Sequence, residues 1–480
     1  VYLSGVGMFF LIKHFFSNLK ICLLIATSYM LCGFISDSAQ FLNWISGAAF
    51  IPFVFLFYYR TITEKTFKIA ACTSIFLWLL FSTAYPADFI LCVYLLLFFL
   101  LWQIAQKTFS NKKAWLQLLK LHSATALSLA LLCLPAIISY AQFLPLSERG
   151  GGANYEQVMS NPLHPGLLFS YLTPLPVWKA SWAAITDPLE RNSFFGLIPF
   201  CFLLLGFFIK QKNAFVLFCK WSFVFWLLFS FGQWGGVRII AYHFLPLMNA
   251  FRHPANAKLF TTLFACLLAA FALQGVLQDG VTAKAKKIVI GIVAIFFLLL
   301  FMWSFTGSFF QWRNVDNTSA KTLLDSLGFS DLLLGNILLQ LPFLAVVILF
   351  LLRRIKLNLL VAVAIINSVV HTALVQPFTV IKKDNVAAIQ QVLDSITVKG
   401  YPLPDLQSTP FNNSVDGMKS FEAIGTTNLY NKKIGRVEYR ITPSNLLAQN
   451  IFWLADSLRE QVMHSPIFYK GLPVIALTKP

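Results

Sequence analysis

One short segment combines three cationic side chains with the start of a helix. It reads Phe251-Arg252-His253-Pro254-Ala255-Asn256-Ala257-Lys258. Proline suits the first turn of a helix, where its missing N–H is not needed, so Pro254 predicts that a helix begins there. The free N–H groups of a helix N-terminus favour anions, and Arg252, His253 and Lys258 add positive charge. The segment therefore predicts a site for a phosphate-sized anion. The competing interpretation is that these cations extend to lipid headgroups.

A second segment with candidate cations precedes it in the chain. Arg149 follows Glu148 and is followed by three glycines, and His164 lies in a Pro-rich stretch after them. Arg149 and His164 are further candidates for binding a phosphate. Irregular apolar backbone is tolerated beside a membrane only where protein or a water-filled cavity covers it. We therefore expect this segment to cover a cavity, with a plain loop on the lipid surface as the alternative.

Carboxylates near these cations are few. Asp37 ends an apolar run, Asp88 begins another, and Glu148 lies beside Arg149. A carboxylate is able to accept a proton as a general base, so these three residues are the candidate catalytic carboxylates. Charges at helix ends are typically solvated, so we expect Asp37 and Asp88 to lie at the outer surface. The eight cysteines all lie in or beside apolar runs and show neither a disulfide framework nor metal-ligand spacing.

The elements that must position these residues are membrane helices. Hydrophobic residues make up 58% of the chain and charged residues 12%. Soluble domains carry roughly 25% charged residues, so the composition predicts a polytopic membrane protein. A span needs about 20 apolar residues, and several of the runs here are shorter than that. Twelve apolar runs are predicted to be spans: residues 1–12, 20–35, 42–59, 68–82, 88–106, 121–141, 193–209, 214–231, 257–277, 288–306, 336–352 and 357–378.

The basic residues predict how these spans are oriented. Alternate breaks between the runs, from Lys13 and Lys20 to Arg353 and Arg354, are strongly basic, whereas the breaks between them carry mixed charge. Basic loops stay cytoplasmic. The net charge of +18 is therefore interpreted as a topology signal and not as a sign of nucleic-acid binding. We expect the candidate residues above to lie on the extracytoplasmic side.

The same pattern divides the chain into a bundle and a tail. Residues 1–378 are predicted to form an all-α helix bundle with two longer outer loops, at 142–192 and 232–256. Residues 379–480 have mixed charge and alternating stretches such as 435–441, which predict a small α+β or β-rich extracytoplasmic module. The last apolar stretch of the tail is interpreted as a strand that is cut short.

The motifs resemble one known family. The Ser147-x-Arg149-Gly150 stretch, the Pro-rich loop after it and above all Phe251-Arg252-His253-Pro254 look like the YfhO family of bacterial membrane proteins. This resemblance implies a GT-C glycosyltransferase in the cytoplasmic membrane, which transfers a sugar from a polyprenyl-phosphate lipid to a cell-envelope glycan or lipid on the outer face. It also implies an essential acid in the first outer loop, and we expect that loop to precede Val1. Whether the same loop binds a divalent ion is left open by the resemblance. The chain itself shows no cofactor motif.

Two other classes remain open. A lipid or polysaccharide transporter or flippase is the first, although ion-coupled transporters usually carry ionisable residues at mid-membrane. The middles of the predicted spans lack Asp, Glu, Lys and Arg. His371, one helical turn after Asn367, is interpreted as an interhelical hydrogen-bonding residue. The second class is a non-catalytic membrane assembly protein, and a sugar-transfer assay with lipid-linked donors separates the three classes.

Overall fold

The computed structural model describes residues 1–39, 41–83, 85–106, 111–143, 152–208, 213–278, 282–308, 326–379, 468–469 and 472–473. These residues are helical over most of their length. The helices are α1 (Tyr2–Phe15), α2 (Leu19–Met30), α3 (Gly33–Asp37), α4 (Leu42–Glu64), α5 (Phe67–Phe81), α6 (Pro86–Ala105), α7 (Lys112–Phe143), α8 (Tyr155–Val158), α9 (Leu197–Phe208), α10 (Ala214–Ser230), α11 (Val237–Phe244), α12 (Lys258–Gln278), α13 (Ala283–Ser304), α14 (Phe329–Leu351) and α15 (Leu357–Thr379). Strands β1 (Phe468–Tyr469) and β2 (Leu472–Pro473) form an antiparallel pair.

The protein is a multi-pass, helical membrane protein. Among the described residues, eight helical segments are long and apolar enough to cross a bilayer, and α5, α9 and α10 are shorter apolar helices. A helix overlaps each of the twelve predicted runs. That all twelve cross the membrane stays a prediction, as does the β-rich module, of which only the two short strands are described.

Two helices begin seven or more residues before the predicted starts. Helix α7 begins at Lys112 and α14 at Phe329, whereas the apolar runs predicted residues 121 and 336. The reason is that a helix satisfies its backbone hydrogen bonds internally and continues into water beyond the apolar stretch. Lys220, which the charge pattern placed in a basic break, lies inside α10, and its ammonium donates a hydrogen bond to the carbonyl of Phe207.

The chain divides into two compact units. The first comprises Val1–Leu134 and Ala153–Ile381, and the second comprises Pro135–Gly152 and Lys382–Pro480. The candidate residues Asp37, Asp88, His164, Arg252, His253 and Lys258 all belong to the first unit. Glu148 and Arg149 lie outside the described residues. In the first unit, α12 is buried along nearly its whole length and packs against α2, α9 and α10, so it forms the centre of the bundle.

The outer segment 152–196 is anchored into the bundle by a buried polar network. The imidazole Nε2 of His371 lies 3.0 Å from Nδ2 of Asn336 and 3.1 Å from Nε2 of Gln340, which belong to α14. The prediction that His371 hydrogen-bonds between helices is therefore confirmed. Asn336 and Gln340 also bond the backbone of Leu175 and Leu172. The network satisfies backbone groups that have no water to bond inside a membrane protein.

The two outer loops are in direct contact with each other. The backbone N–H of Ala153 donates to the carbonyl of Asn249 at 2.9 Å, and the N–H of Ala255 donates to Asn161 at 3.4 Å. The ring of Tyr155 packs edge-on against that of Tyr242. The two loops therefore adjoin, whereas the cavity that the 142–192 segment is expected to cover stays a prediction, because residues 144–151 lie outside the described part of the chain.

The orientation of the bundle is testable by cysteine labelling. In a background with the eight native cysteines replaced by alanine, we expect Ser181→Cys and Gln233→Cys to react with a membrane-impermeant maleimide added outside. Ser17→Cys and Asn111→Cys should react only after the membrane is permeabilised, because basic breaks stay cytoplasmic. All four side chains are exposed. Labelling of Asn111→Cys from outside would contradict the predicted topology.

Candidate functional site

Three chain segments meet around a cluster of buried polar groups. They are α3, the turn Pro188–Glu190 with the residues after it, and the turn Pro254–Ala257 that leads into α12. The first two are joined because the N–H of Gly33 donates to the carbonyl of Phe194 at 2.6 Å. A Cβ at residue 33 would lie 2.4 Å from Cγ of Asn192. Only glycine therefore lets the outer loop pack so closely on α3.

Asp37 is the carboxylate at the centre of this cluster. Its side chain is completely buried. Its Oδ1 accepts hydrogen bonds from Oγ of Ser36 at 2.8 Å and from Nδ2 of Asn192 at 3.2 Å. Its Oδ2 accepts none from the residues that the structure describes. The expectation of a solvated helix-end charge was wrong, because the outer loop folds over the end of α3 and excludes water from the carboxylate.

Lys258 supplies the buried positive charge. It is the first residue of α12, is 1% exposed, and donates a hydrogen bond from Nζ to the carbonyl of Glu190 at 2.6 Å. Its ammonium also interacts electrostatically with the carboxylates of Asp37 and Glu190. A buried ammonium is costly unless it is paired and hydrogen-bonded. Lys258 therefore contacts neither lipid headgroups nor a surface-bound anion, contrary to both interpretations of the sequence.

Glu190 and His253 form a second buried contact in the cluster. Nδ1 of His253 lies 3.0 Å from Oε1 of Glu190, at ion-pair distance, and 3.1 Å from Nδ2 of Asn161. Glu190 is completely buried. Burial raises the pKa of the Glu190 carboxyl, and the contact with His253 opposes that increase. The Glu190 carboxyl is therefore kept from water beside an imidazole that is 19% exposed.

The backbone at His253 is strained. Its φ is +65° and its ψ is 68°, in the left-handed region that costs free energy for residues other than glycine. Residues before proline normally adopt extended backbone, and Pro254 does stand in the first turn of the short helix as predicted. The contacts with Glu190, Asn161 and the indole of Trp44 hold His253 in this conformation.

Arg238 fixes the chain just before this strained residue. Its guanidinium donates from Nη2 to the carbonyls of Met248 at 2.9 Å and Phe251 at 3.1 Å. It also lies over the ring of Phe251, 4.2 Å from the centroid. Burial lowers the pKa of Arg238 to about 9, so the group stays charged at neutral pH. Arg252, the next residue after Phe251, is exposed and is the cation that the site presents to the surroundings.

Asp88 is also buried, again contrary to the expectation of a solvated helix end. It stands in the first turn of α6 and is completely buried. Neither of its carboxylate oxygens has a hydrogen-bond partner among the described residues. A Cβ at Gly47 would lie against Oδ2 of Asp88, so α4 covers the carboxylate. Asp88 interacts electrostatically with Tyr85, whose hydroxyl accepts from Nδ2 of Asn256 at 2.7 Å.

His164 has structural contacts within the described residues, and its phosphate contact stays a prediction. Its Nδ1 accepts the N–H of Gly166 at 3.0 Å and so caps the short helix Pro165–Tyr171. Its ring packs edge-on against Trp182 and Trp234, with centroids 5.2 Å and 4.9 Å apart. These aromatic contacts join the two outer loops.

Sequence reasoning missed Glu190 and Asn192. Both lie in the stretch 187–193, which gathers five polar residues and a proline in a region that is otherwise apolar. That concentration was the available signal. Arg191, between them, donates to the carbonyls of Thr186, Val177 and Ala180 and so shapes the loop. Among the described residues, no group of three or more His, Cys, Asp or Glu is placed to hold a metal ion.

The Glu190 carboxyl predicts a pH dependence of stability. Its pKa is raised in the folded protein, so folding takes up a proton there and stability is lost as pH rises above the ordinary value of 4.5. Glu190→Gln removes this loss. We therefore expect the melting temperature of Glu190→Gln, relative to the wild type in detergent, to increase between pH 4.5 and pH 8.

The charged neighbours of Glu190 are His253, Asp187 and Lys258, and all three are retained in this variant. Glu156→Gln, at an exposed position in α8, is the matched control and should show no such trend. A difference between Glu190→Gln and the wild type that is the same at every pH would contradict the raised pKa.

Comparison of the chain with protein-family models, with curated proteins and with solved structures found no match. The resemblance to the YfhO family therefore stays a prediction that rests on the motifs quoted above. The function has to be argued from the buried cluster and from the exposed Arg252 beside it.

Proposed function

We propose that this protein is a membrane glycosyltransferase that transfers a sugar from a polyprenyl-phosphate donor to a cell-envelope glycan or lipid on the outer face of the cytoplasmic membrane. The observation that carries the proposal is the buried Asp37 carboxylate. One of its oxygens has no hydrogen-bond partner among the described residues, and the Lys258 ammonium interacts with it electrostatically. A multi-pass helical fold and the family resemblance support the same function.

The chemistry assigns separate roles to the acid and the cations. The acceptor hydroxyl attacks the anomeric carbon of the donor sugar, the bond from that carbon to the phosphate oxygen breaks, and the hydroxyl proton has to leave. Asp37 accepts that proton as general base, and Lys258 stabilises its ionised form. Arg252 binds the departing polyprenyl phosphate, because a guanidinium forms paired hydrogen bonds with phosphate oxygens.

The reaction requires access to Asp37, which the outer loop covers. Asn192 bonds the carboxylate, and the carbonyl of Glu190 accepts from Lys258. Both residues belong to the segment 187–193, so movement of this one segment uncovers the acid and the ammonium together. Arg252 is already exposed. The proposal therefore places donor binding first at Arg252, and loop movement before proton transfer.

Sugar transfer in proteoliposomes tests this function. With a panel of polyprenyl-phosphate hexoses, we expect the wild type to transfer sugar and Asp37→Asn to lose transfer while remaining folded, because an amide still accepts from Ser36. Arg252→Ala removes one or two charge-assisted hydrogen bonds of about 1.5–3 kcal/mol each. It should reduce donor use about tenfold or more, and Arg252→Lys should restore it only in part.

Arg354→Ala, at an exposed arginine elsewhere on the bundle, is the matched control and should transfer normally. Full transfer by a folded Arg252→Ala variant would contradict the phosphate role, and full transfer by Asp37→Asn would contradict the role of the acid. Movement of labelled donor across the bilayer without transfer would indicate a flippase. Neither transfer nor movement with any donor would favour an assembly protein.

A further inference from the structure

A groove opens on the surface of the bundle between α1, α4 and α5. Its cavity volume is about 440 Å³. Its walls are mainly aromatic: Phe10 from α1, Phe53 and Phe57 from α4, and Phe76 from α5. The ring of Phe76 stacks on those of Phe53 and Phe57, with centroids 4.7 Å and 5.1 Å apart and nearly parallel planes. The three rings form a flat apolar wall suited to a hydrocarbon chain.

Basic side chains stand at one end of this groove. Lys13 and His14 belong to the last turn of α1, and Arg60 lies one turn before the end of α4. Phe53 precedes Arg60 by seven residues, so at about 1.5 Å per helical residue the apolar wall extends roughly 10 Å below the cations. The groove is therefore charged at one end and apolar along the rest of its length. A lipid has the same arrangement, with a charged headgroup and apolar acyl chains.

The charge at this end matches a singly charged phosphate. Arg60 pairs with Glu64 through Nε at 2.6 Å and Nη2 at 3.2 Å, so that pair is neutral. Nη1 of Arg60 takes no part in the pair and remains able to donate. Lys13 and His14 are exposed, and Lys13, which forms no ion pair with the residues that the structure describes, brings one positive charge to the groove. The phosphodiester of a phospholipid carries one negative charge. The acyl chains of the lipid distinguish it from inorganic phosphate.

We propose that the groove between α1, α4 and α5 binds an anionic phospholipid, with the phosphodiester held by Lys13 and Arg60 and one acyl chain lying against Phe53, Phe57 and Phe76. The basic breaks orient this end toward the cytoplasm, so the lipid belongs to the cytoplasmic leaflet. The site is on α1 and α4, outside the Asp37 cluster, and it does not depend on the proposed sugar transfer.

Native mass spectrometry of the purified full chain tests this site. The protein is released from detergent in the presence of phosphatidylglycerol or phosphatidylcholine with the same acyl chains, and bound lipids are counted. We expect one phosphatidylglycerol to be retained in preference to phosphatidylcholine. Lys13→Ala should weaken that retention about fivefold, as expected for one basic residue at a membrane surface, and Arg60→Gln should weaken it in the same direction.

Lys20→Ala is the matched control, because Lys20 is an exposed lysine near the same end of the bundle and is not part of the groove. It should retain phosphatidylglycerol as the wild type does, and all variants must keep the wild-type melting temperature. Should Arg60→Gln fail to fold, the comparison of Lys13→Ala with Lys20→Ala decides. Equal retention of both lipids, an equal loss in Lys13→Ala and Lys20→Ala, or displacement of the lipid by millimolar inorganic phosphate would overturn the proposal.

Discussion

The structure around Asp37 and Lys258 depends on one constraint, which is that a charge removed from water must find its partners inside the protein. Lys258 begins the most deeply buried helix, and its ammonium is 1% exposed. The carbonyl of Glu190 and the carboxylates of Asp37 and Glu190 satisfy it. Because two of these partners belong to Glu190 in the outer loop, pairing the ammonium also fixes that loop on the bundle. Removing one member of such a buried set typically leaves an uncompensated charge and is far more costly than losing a surface ion pair.

A second anchor holds the other part of the same loop. Asn336, Gln340, Asn367 and His371 bond one another, and they bond the backbone at Leu172, Leu175 and Leu197. The loop is thus attached at both ends of its irregular region, first by an uncharged network and then by the charged cluster. The segment 187–193 carries the second attachment, through Glu190 and Asn192, and covers Asp37. This arrangement allows local opening over the acid without release of the whole loop, which is why we place the proposed chemistry there.

The sequence predicted the helices well and the site only in part. Long apolar runs, the basic breaks and Pro254 are local signals, and a helix overlaps every predicted run. Arg252 was correctly placed beside a helix start. The burial of Asp37, Asp88 and Lys258 was not predictable, because it depends on contacts with residues far away in the chain, such as Asn192 and Glu190. The local sequence around a charged residue at a helix end does not distinguish a side chain that faces water from one that a distant loop covers. The close contact of Gly33 with Asn192 likewise becomes visible only when the two segments are seen together.

The coupling between Asp37 and Lys258 is the central claim, and a double-mutant cycle measures it most directly. The free energies of unfolding of the wild type, Asp37→Asn, Lys258→Met and the double variant are compared in the same detergent at neutral pH. We predict that Lys258→Met alone is strongly destabilising, by about 3–5 kcal/mol. We also predict that the double variant is more stable than the sum of the single effects, with an interaction energy of about 1 kcal/mol or more. Additive effects within about 0.5 kcal/mol would show that the two charges do not interact and would contradict the account.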